Sequence, residues 1–169
     1  MNDDHSIPLA ELKTILVATD GSHSSVEAVD FAVELAAEHH AEVIFVHVVP
    51  TLDLVNDGYD DASFALPHEP TERDRSLLEN AAAVAAAHEV AATTALLGGP
   101  TADEVVTYAE ERNVDLIVVG SRGHGAVAGA LLGSVSLGIM RKSTRPVVIV
   151  RRGHSTHPST DTVAAASSV

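Results

Sequence analysis

Five short apolar runs, separated by segments of helical period, constrain this chain more than any other feature. They are 14–19 (Thr-Ile-Leu-Val-Ala-Thr), 42–49, 91–97, 115–120 and 147–151. None exceeds eight residues, and all are rich in valine, isoleucine or threonine, as buried strands are. The fourth run is near-continuously apolar, which suits a central parallel strand covered on both faces.

Four helices are expected between and after these strands. The first opens at a capping box of Ser24 with Glu27 and carries Val26, Val29, Val33 and Ala36 as its apolar stripe. Glu27, Asp30, Glu34 and Glu38 fall on its wet face, and it ends near His39-His40. The second runs from Thr71 to Glu89. The third opens at a capping box of Thr101 with Glu104 and stops at Asn113. The fourth runs from Gly133-Ser134 to Ser143, before Arg145-Pro146. Strands alternating with helices predict an α/β fold, a parallel sheet with helices on both faces. The 169 residues suffice for one domain with a buried core. We divide them into an arm (1–12), an α/β domain (13–152) and a tail without periodicity (153–169), expected to be disordered. The polar stretch 51–70 is long for a connection and is expected to be mobile or functional.

Composition removes several classes of function. The chain has no cysteine, so disulfides, zinc–thiolate sites and cysteine nucleophiles are excluded. No apolar run reaches the length of a membrane span, and residues 1–12 lack the apolar core of a secretory signal; the expectation is a cytoplasmic protein with no membrane insertion. A net charge of −14 argues against nucleic acid as partner and would suit work in concentrated salt.

That charge is unevenly placed. No Asp or Glu occurs between Leu116 and Thr160, where an even spread would put roughly six. The same segment holds Arg122, Arg141, Lys142, Arg145, Arg151 and Arg152, six of the ten basic residues. Burial accounts for missing acids but not for a surplus of arginines, so we read the segment as reserved for an anion.

In open parallel sheets, ligands bind at the carboxyl ends of the strands where strand order reverses. The richest strand end here is Gly120-Ser121-Arg122-Gly123. Glycines let the backbone approach a ligand, and Gly133-Ser134 opens a helix whose free amides favour a phosphate. Ser134 and Ser136 add hydroxyls. Glycines after a strand can also serve packing alone.

Other motifs fit poorly. There is no Walker A string. Gly123-His124-Gly125-Ala126-Val127-Ala128 matches a dinucleotide loop, but the acid expected about 20 residues later is missing. Ser134-Val135-Ser136-Leu137-Gly138 begins with Ser where a nucleophile elbow needs Gly. The ten histidines show no metal-ligand spacing, so no structural metal is expected.

Gly120-x2-Gly123-x9-Gly133-Ser134, with Asp115–Gly120, Pro146–Val150 and Ile15–Ser22, resembles the ATP-binding branch of the universal stress protein family over about Lys13 to Arg151. The resemblance implies a five-stranded sheet of order 3-2-1-4-5 and a homodimer through Val147–Val150. It implies that Ala18, Thr19 and Asp20 meet the adenosine half of ATP, and that Val48, after His47, reads adenine with its backbone. Gly120, Ser121, Gly123, Gly133, Ser134, Val135 and Ser136 would hold ribose and phosphates, with Arg122 on phosphate or in solvent. His124, Gly125 and Gly129 lie in the part that varies.

The expected function is an ATP-binding regulatory or stress-response protein, a nucleotide-dependent switch with an unknown protein partner. Mg²⁺ or Mn²⁺ would ride on the triphosphate. No catalytic residue is assigned, because no general base stands near the phosphates, and fast hydrolysis is not expected. The rivals are a slow ATPase or adenylyl-transfer enzyme, a nucleotide-free interaction module, and an AMP or cyclic-nucleotide binder of the same fold.

Overall fold

The computed structural model describes residues 12–49, 52–53, 65–66, 69–124 and 132–151. Residues 1–11 of the arm, residue 152 and the tail, most of the 51–70 connection and residues 125–131, with Gly125 and Gly129, lie outside the described residues.

Five strands form one sheet: β1 (Thr14–Ala18), β2 (Glu42–Val49), β3 (Ala92–Gly98), β4 (Leu116–Gly120) and β5 (Val147–Val150). All pairings are parallel, and the order is 3-2-1-4-5. The helices are α1 (His23–His39), α2 (Glu72–Ala87), α3 (Thr101–Glu111) and α4 (Ser134–Lys142). Within the long connection, Leu52–Asp53 pairs antiparallel with Ala65–Leu66 as a minimal ribbon.

Two-residue alternation along each strand divides the core into two layers. Ile15, Val17, Val43, Phe45 and Val118 face α1 and α2, where Ala28, Val29, Ala32, Val33, Leu78 and Ala81 meet them. Leu16, Ile44, Val46, Ile117 and Val119 face α3 and α4, against Val105, Val106, Ala109 and Ile139. Phe45, Ile15, Leu16 and Ile117 are fully buried, each contributing about 1.5–3 kcal/mol. The small residues of α1 let that helix lie close to the sheet.

Both expected capping boxes fail. The N-cap of α1 is Ser22, with no side-chain cap bond, and the Ser24 hydroxyl donates to the Arg122 carbonyl instead. Val26, placed in the apolar stripe by period, is 47% exposed; Ser25 and Ala28 take that side of the buried face. The N-cap of α3 is Pro100, and Thr101 is already helical. The working capping box is at α2, where Thr71 and Asp74 satisfy each other. Asn113 does end α3, in the left-handed region at φ 52°. The Asp115 carboxylate accepts the amides of Lys13 and Thr14, both at 2.9 Å, which aligns the starts of β1 and β4.

This alignment matters downstream. The chain leaves β1 for β2 on one side and later crosses to β4 on the other. The strand order therefore reverses between β1 and β4, and their carboxyl ends flank a crevice.

Candidate functional site

A cavity of about 850 Å³ opens at that crevice. The sequence-predicted residues converge on it: Ala18, Thr19 and Asp20 from β1, Val48 from β2, Gly120, Arg122 and Gly123 from the end of β4, and Gly133, Ser134, Val135 and Ser136 from the start of α4. Ser121 is the exception. It is buried outside the lining; its amide donates to Val150 O at 2.7 Å and its carbonyl accepts from Gly133 N at 2.8 Å. Its part is to tie the two glycine turns together.

Because the Gly133 amide is spent on Ser121, the amides free at the helix start are the next three. The first bond back into α4 runs from Leu137 N to Gly133 O, at 3.0 Å. The amides of Ser134, Val135 and Ser136 have no acceptor among the described residues, and all three residues line the cavity. Three convergent donors at a positive helix end suit an anion. The Ser134 side chain is exposed beside them. The Ser136 hydroxyl, expected as a ligand donor, is instead buried and donates to Gly120 O at 2.7 Å, so it can only accept from a ligand.

The three glycines act differently. A Cβ on Gly120 would stand 2.6 Å from the backbone of Ser24 and 2.7 Å from Ser25 N. Its small size admits the start of α1, a packing role in addition to its place in the cavity lining. A Cβ on Gly123 would meet Asp20 Oδ2 at 2.5 Å. A Cβ on Gly133 would make only ordinary contacts, the nearest at 3.5 Å.

Asp20 organises the loop after β4. Its Oδ1 accepts from Ser22 N at 2.9 Å and its Oδ2 from His124 N at 3.1 Å. The His124 ring returns a bond from Nε2 to Asp20 O at 3.1 Å. Burial pushes the Asp20 carboxyl up, but the bonds from Ser22, His124 and Ser25 outweigh it and hold the group below the ordinary carboxylate range. Ser22 and Ser24 both donate to the Arg122 carbonyl, Ser22 at 3.1 Å. The loop after β4 is thus held in shape by the turn after β1.

The opposite wall is the part that sequence reasoning missed. Val46 and His47 from β2 and Arg73, Asp74 and Leu77 from α2 line it, with Thr101 from α3. His47 was detectable as the one polar residue inside the apolar run of β2. The α2 residues gave no signal, because they reach the site across a long connection. Among the described residues no group of three or more His, Asp or Glu is placed to hold a metal ion.

The wider comparisons agree with this architecture. The family model described as the universal stress protein family matches residues 11–151. The universal stress protein YxiE of Bacillus subtilis is 41% identical over 144 residues, covering 81% of this chain and 97% of its own length. The universal stress protein MJ0531 of Methanocaldococcus jannaschii is 31% identical over 140 residues, covering 83% and 82%. A solved universal stress protein in complex with cAMP superposes with a TM-score of 0.64 at 30% identity, over 83% of this chain and 97% of that one. With a family match over residues 11–151, a 41% identical relative covered over 97% of its length and a shared fold, this protein belongs to the universal stress protein family.

Proposed function

We propose that the cavity binds an adenine nucleotide, with ATP the first candidate, and that occupancy switches a surface read by a regulatory partner in a stress response. The observation that carries this reading is the set of three amides at Ser134, Val135 and Ser136 that have no acceptor among the described residues, at a cavity also lined by Val46, Val48 and Leu77. One end suits phosphate and the other a flat apolar base. The cavity volume falls in the range of roughly 300–1,000 Å³ of small-molecule sites. Ala18, Thr19, Asp20 and Val48 are assigned to the adenosine half. Gly123, Gly133, Ser134, Val135, Ser136 and Arg122 are assigned to ribose and phosphates. Gly120 lines the cavity beside them, and Ser121 supports them from behind.

Slow turnover is part of the reading. Both Asp20 oxygens already accept backbone amides, and the His124 Nε2 is engaged by Asp20 O. Neither ring nitrogen of His47 is free, so among the described residues neither His47 nor Asp20 stands ready to activate water. A Mg²⁺ or Mn²⁺ ion would be held by phosphate oxygens and water, a mode that needs no dedicated protein cage. We also propose a cytoplasmic homodimer, formed by β5, which is an edge of the sheet. No helix among the described residues is long and apolar enough to cross a membrane.

A second reading, AMP or a cyclic nucleotide, draws support from the cAMP complex of the 30% identical relative. Mass spectrometry of the nucleotide released on denaturing freshly purified protein, with calorimetric titration of ATP, AMP and cyclic AMP, decides between them. ATP released and bound most tightly is expected; no nucleotide released and none bound would end the proposal.

A further inference from the structure

We propose that His47 is a positioning residue: its doubly protonated ring pins the first turn of α2 to the end of β1, and the cavity keeps its shape while that second proton is present. The affinity arm of the test below rests on the nucleotide reading; the ring measurement does not.

The geometry is a count of donors and acceptors. His47 is 8% exposed on β2. Its Nδ1 lies 2.8 Å from Thr19 O and its Nε2 lies 3.0 Å from Asp74 Oδ1. A backbone carbonyl can only accept, and so can an ionised carboxylate. A neutral imidazole carries one N–H and can satisfy one of them. Making both bonds takes two ring protons. Asp74 does not supply the missing proton: the hydroxyl and amide of Thr71 stabilise its charged form and bring its carboxyl down to about 2.

The two ends of this bridge are the two walls of the cavity. Thr19 immediately precedes Asp20, the residue that shapes the loop after β4. Arg73 and Leu77, beside Asp74 on α2, line the far wall, and Leu77 fills the space above Gly21. Losing one ring proton removes one of the two bonds and frees the first turn of α2 from β1. Among the described residues, the charged and titratable groups that line the cavity with the ring are Asp74, in contact with it, and Arg73 from α2, Asp20 from the turn after β1, and Arg122 and His124 from the loop after β4. β3 places Leu96 opposite His47 and no charge.

The sign follows from which form makes the bridge. The doubly protonated ring makes both bonds, so nucleotide affinity is highest on the acid side and falls as pH rises through the ring's titration. Asp74→Asn provides the control. An asparagine can still accept from Thr71 N through its oxygen while its amide donates to Nε2, so a neutral ring then completes the bridge.

The test is histidine-selective ¹⁵N NMR of the free protein, followed by ATP calorimetry between about pH 5 and pH 8, the span across which histidine changes charge. Both ring nitrogens of His47 should carry protons at the acid end, and Asp74→Asn should release the second proton at distinctly lower pH than the wild type. ATP affinity should fall by about tenfold across the span in the wild type, the scale of one charge-assisted hydrogen bond, and by less than about twofold in Asp74→Asn. The variant's profile also removes the titration of the nucleotide's own phosphate. A ring that titrates identically in the two proteins overturns the proposal, as does an equal fall in both affinities. If neither protein binds ATP, the nucleotide reading fails, and the ring measurement alone upholds or overturns the pin.

Discussion

Asp20 Oδ2 accepts the backbone amide of His124 at 3.1 Å, across 104 residues of sequence, and occupies the space that a Cβ on Gly123 would need. One carboxylate oxygen therefore explains both the shape of the loop after β4 and the absence of a side chain at its centre. Gly123→Ala must displace that oxygen and break its bond to His124. Nucleotide affinity should drop by about tenfold or more, the cost of modest overpacking. In the Asp20→Ala background, Gly123→Ala should cost less than it does alone, because the clash is gone; thermal unfolding of the two single variants and the double variant measures the coupling.

Gly120 and Gly133 should separate in their effects. A methyl at Gly120 collides with the backbone of Ser24, so Gly120→Ala should lower stability by about 1–3 kcal/mol whether or not nucleotide is present. Gly133 has a β-region backbone at φ −73° and room for a Cβ. Gly133→Val should leave the melting temperature near wild type yet lose nucleotide binding, because its methyls enter the space beside the free amides. Thermal unfolding paired with calorimetry reads both.

Acid should loosen the loop. The folded-state carboxyls of Asp20 and Asp74 lie below their ordinary value of 3.8, Asp74 at about 2. Groups shifted this way contribute stability that is fully present above that ordinary value and is lost as pH falls through the folded one. Urea unfolding should show stability level with respect to these two groups near neutrality, then falling below about pH 4. Asp20→Asn should reduce that fall.

The proposed dimer makes a backbone prediction. Ile117 N donates to Pro146 O and Ser121 N to Val150 O. The parallel ladder with β4 then uses the amides of Val148 and Val150 and leaves those of Val147 and Ile149 pointing outward. Ile149→Pro removes an outward donor while sparing the ladder, so sedimentation should show a monomer with a retained helical signal. A persistent dimer would place the interface elsewhere.

The five strands were legible because each is a short apolar run of the right length, and a parallel sheet buries both faces. Their order was not carried by periodicity; it came with the family resemblance, through the motif joining Gly120, Gly123 and Gly133-Ser134. Local patterns misled where a distant partner competed for the same atom. Ser24 sits three residues before Glu27, as a capping box requires, yet its hydroxyl is used by Arg122, 98 residues away. Gly120 read as a ligand glycine from the sequence, and the packing demand of the α1 backbone on it had no local sign. The wall formed by Arg73, Asp74 and Leu77 had no signature at all, since the connection before α2 says nothing about where that helix docks.

The most direct measurement is a crystal structure of the protein with ATP. Phosphate oxygens should lie within hydrogen-bond distance of the amides of Ser134, Val135 and Ser136, with the base against Val48 and Leu77. A nucleotide bound elsewhere, or a cavity closed by the protein's own side chains with those three amides turned to other acceptors, would contradict it.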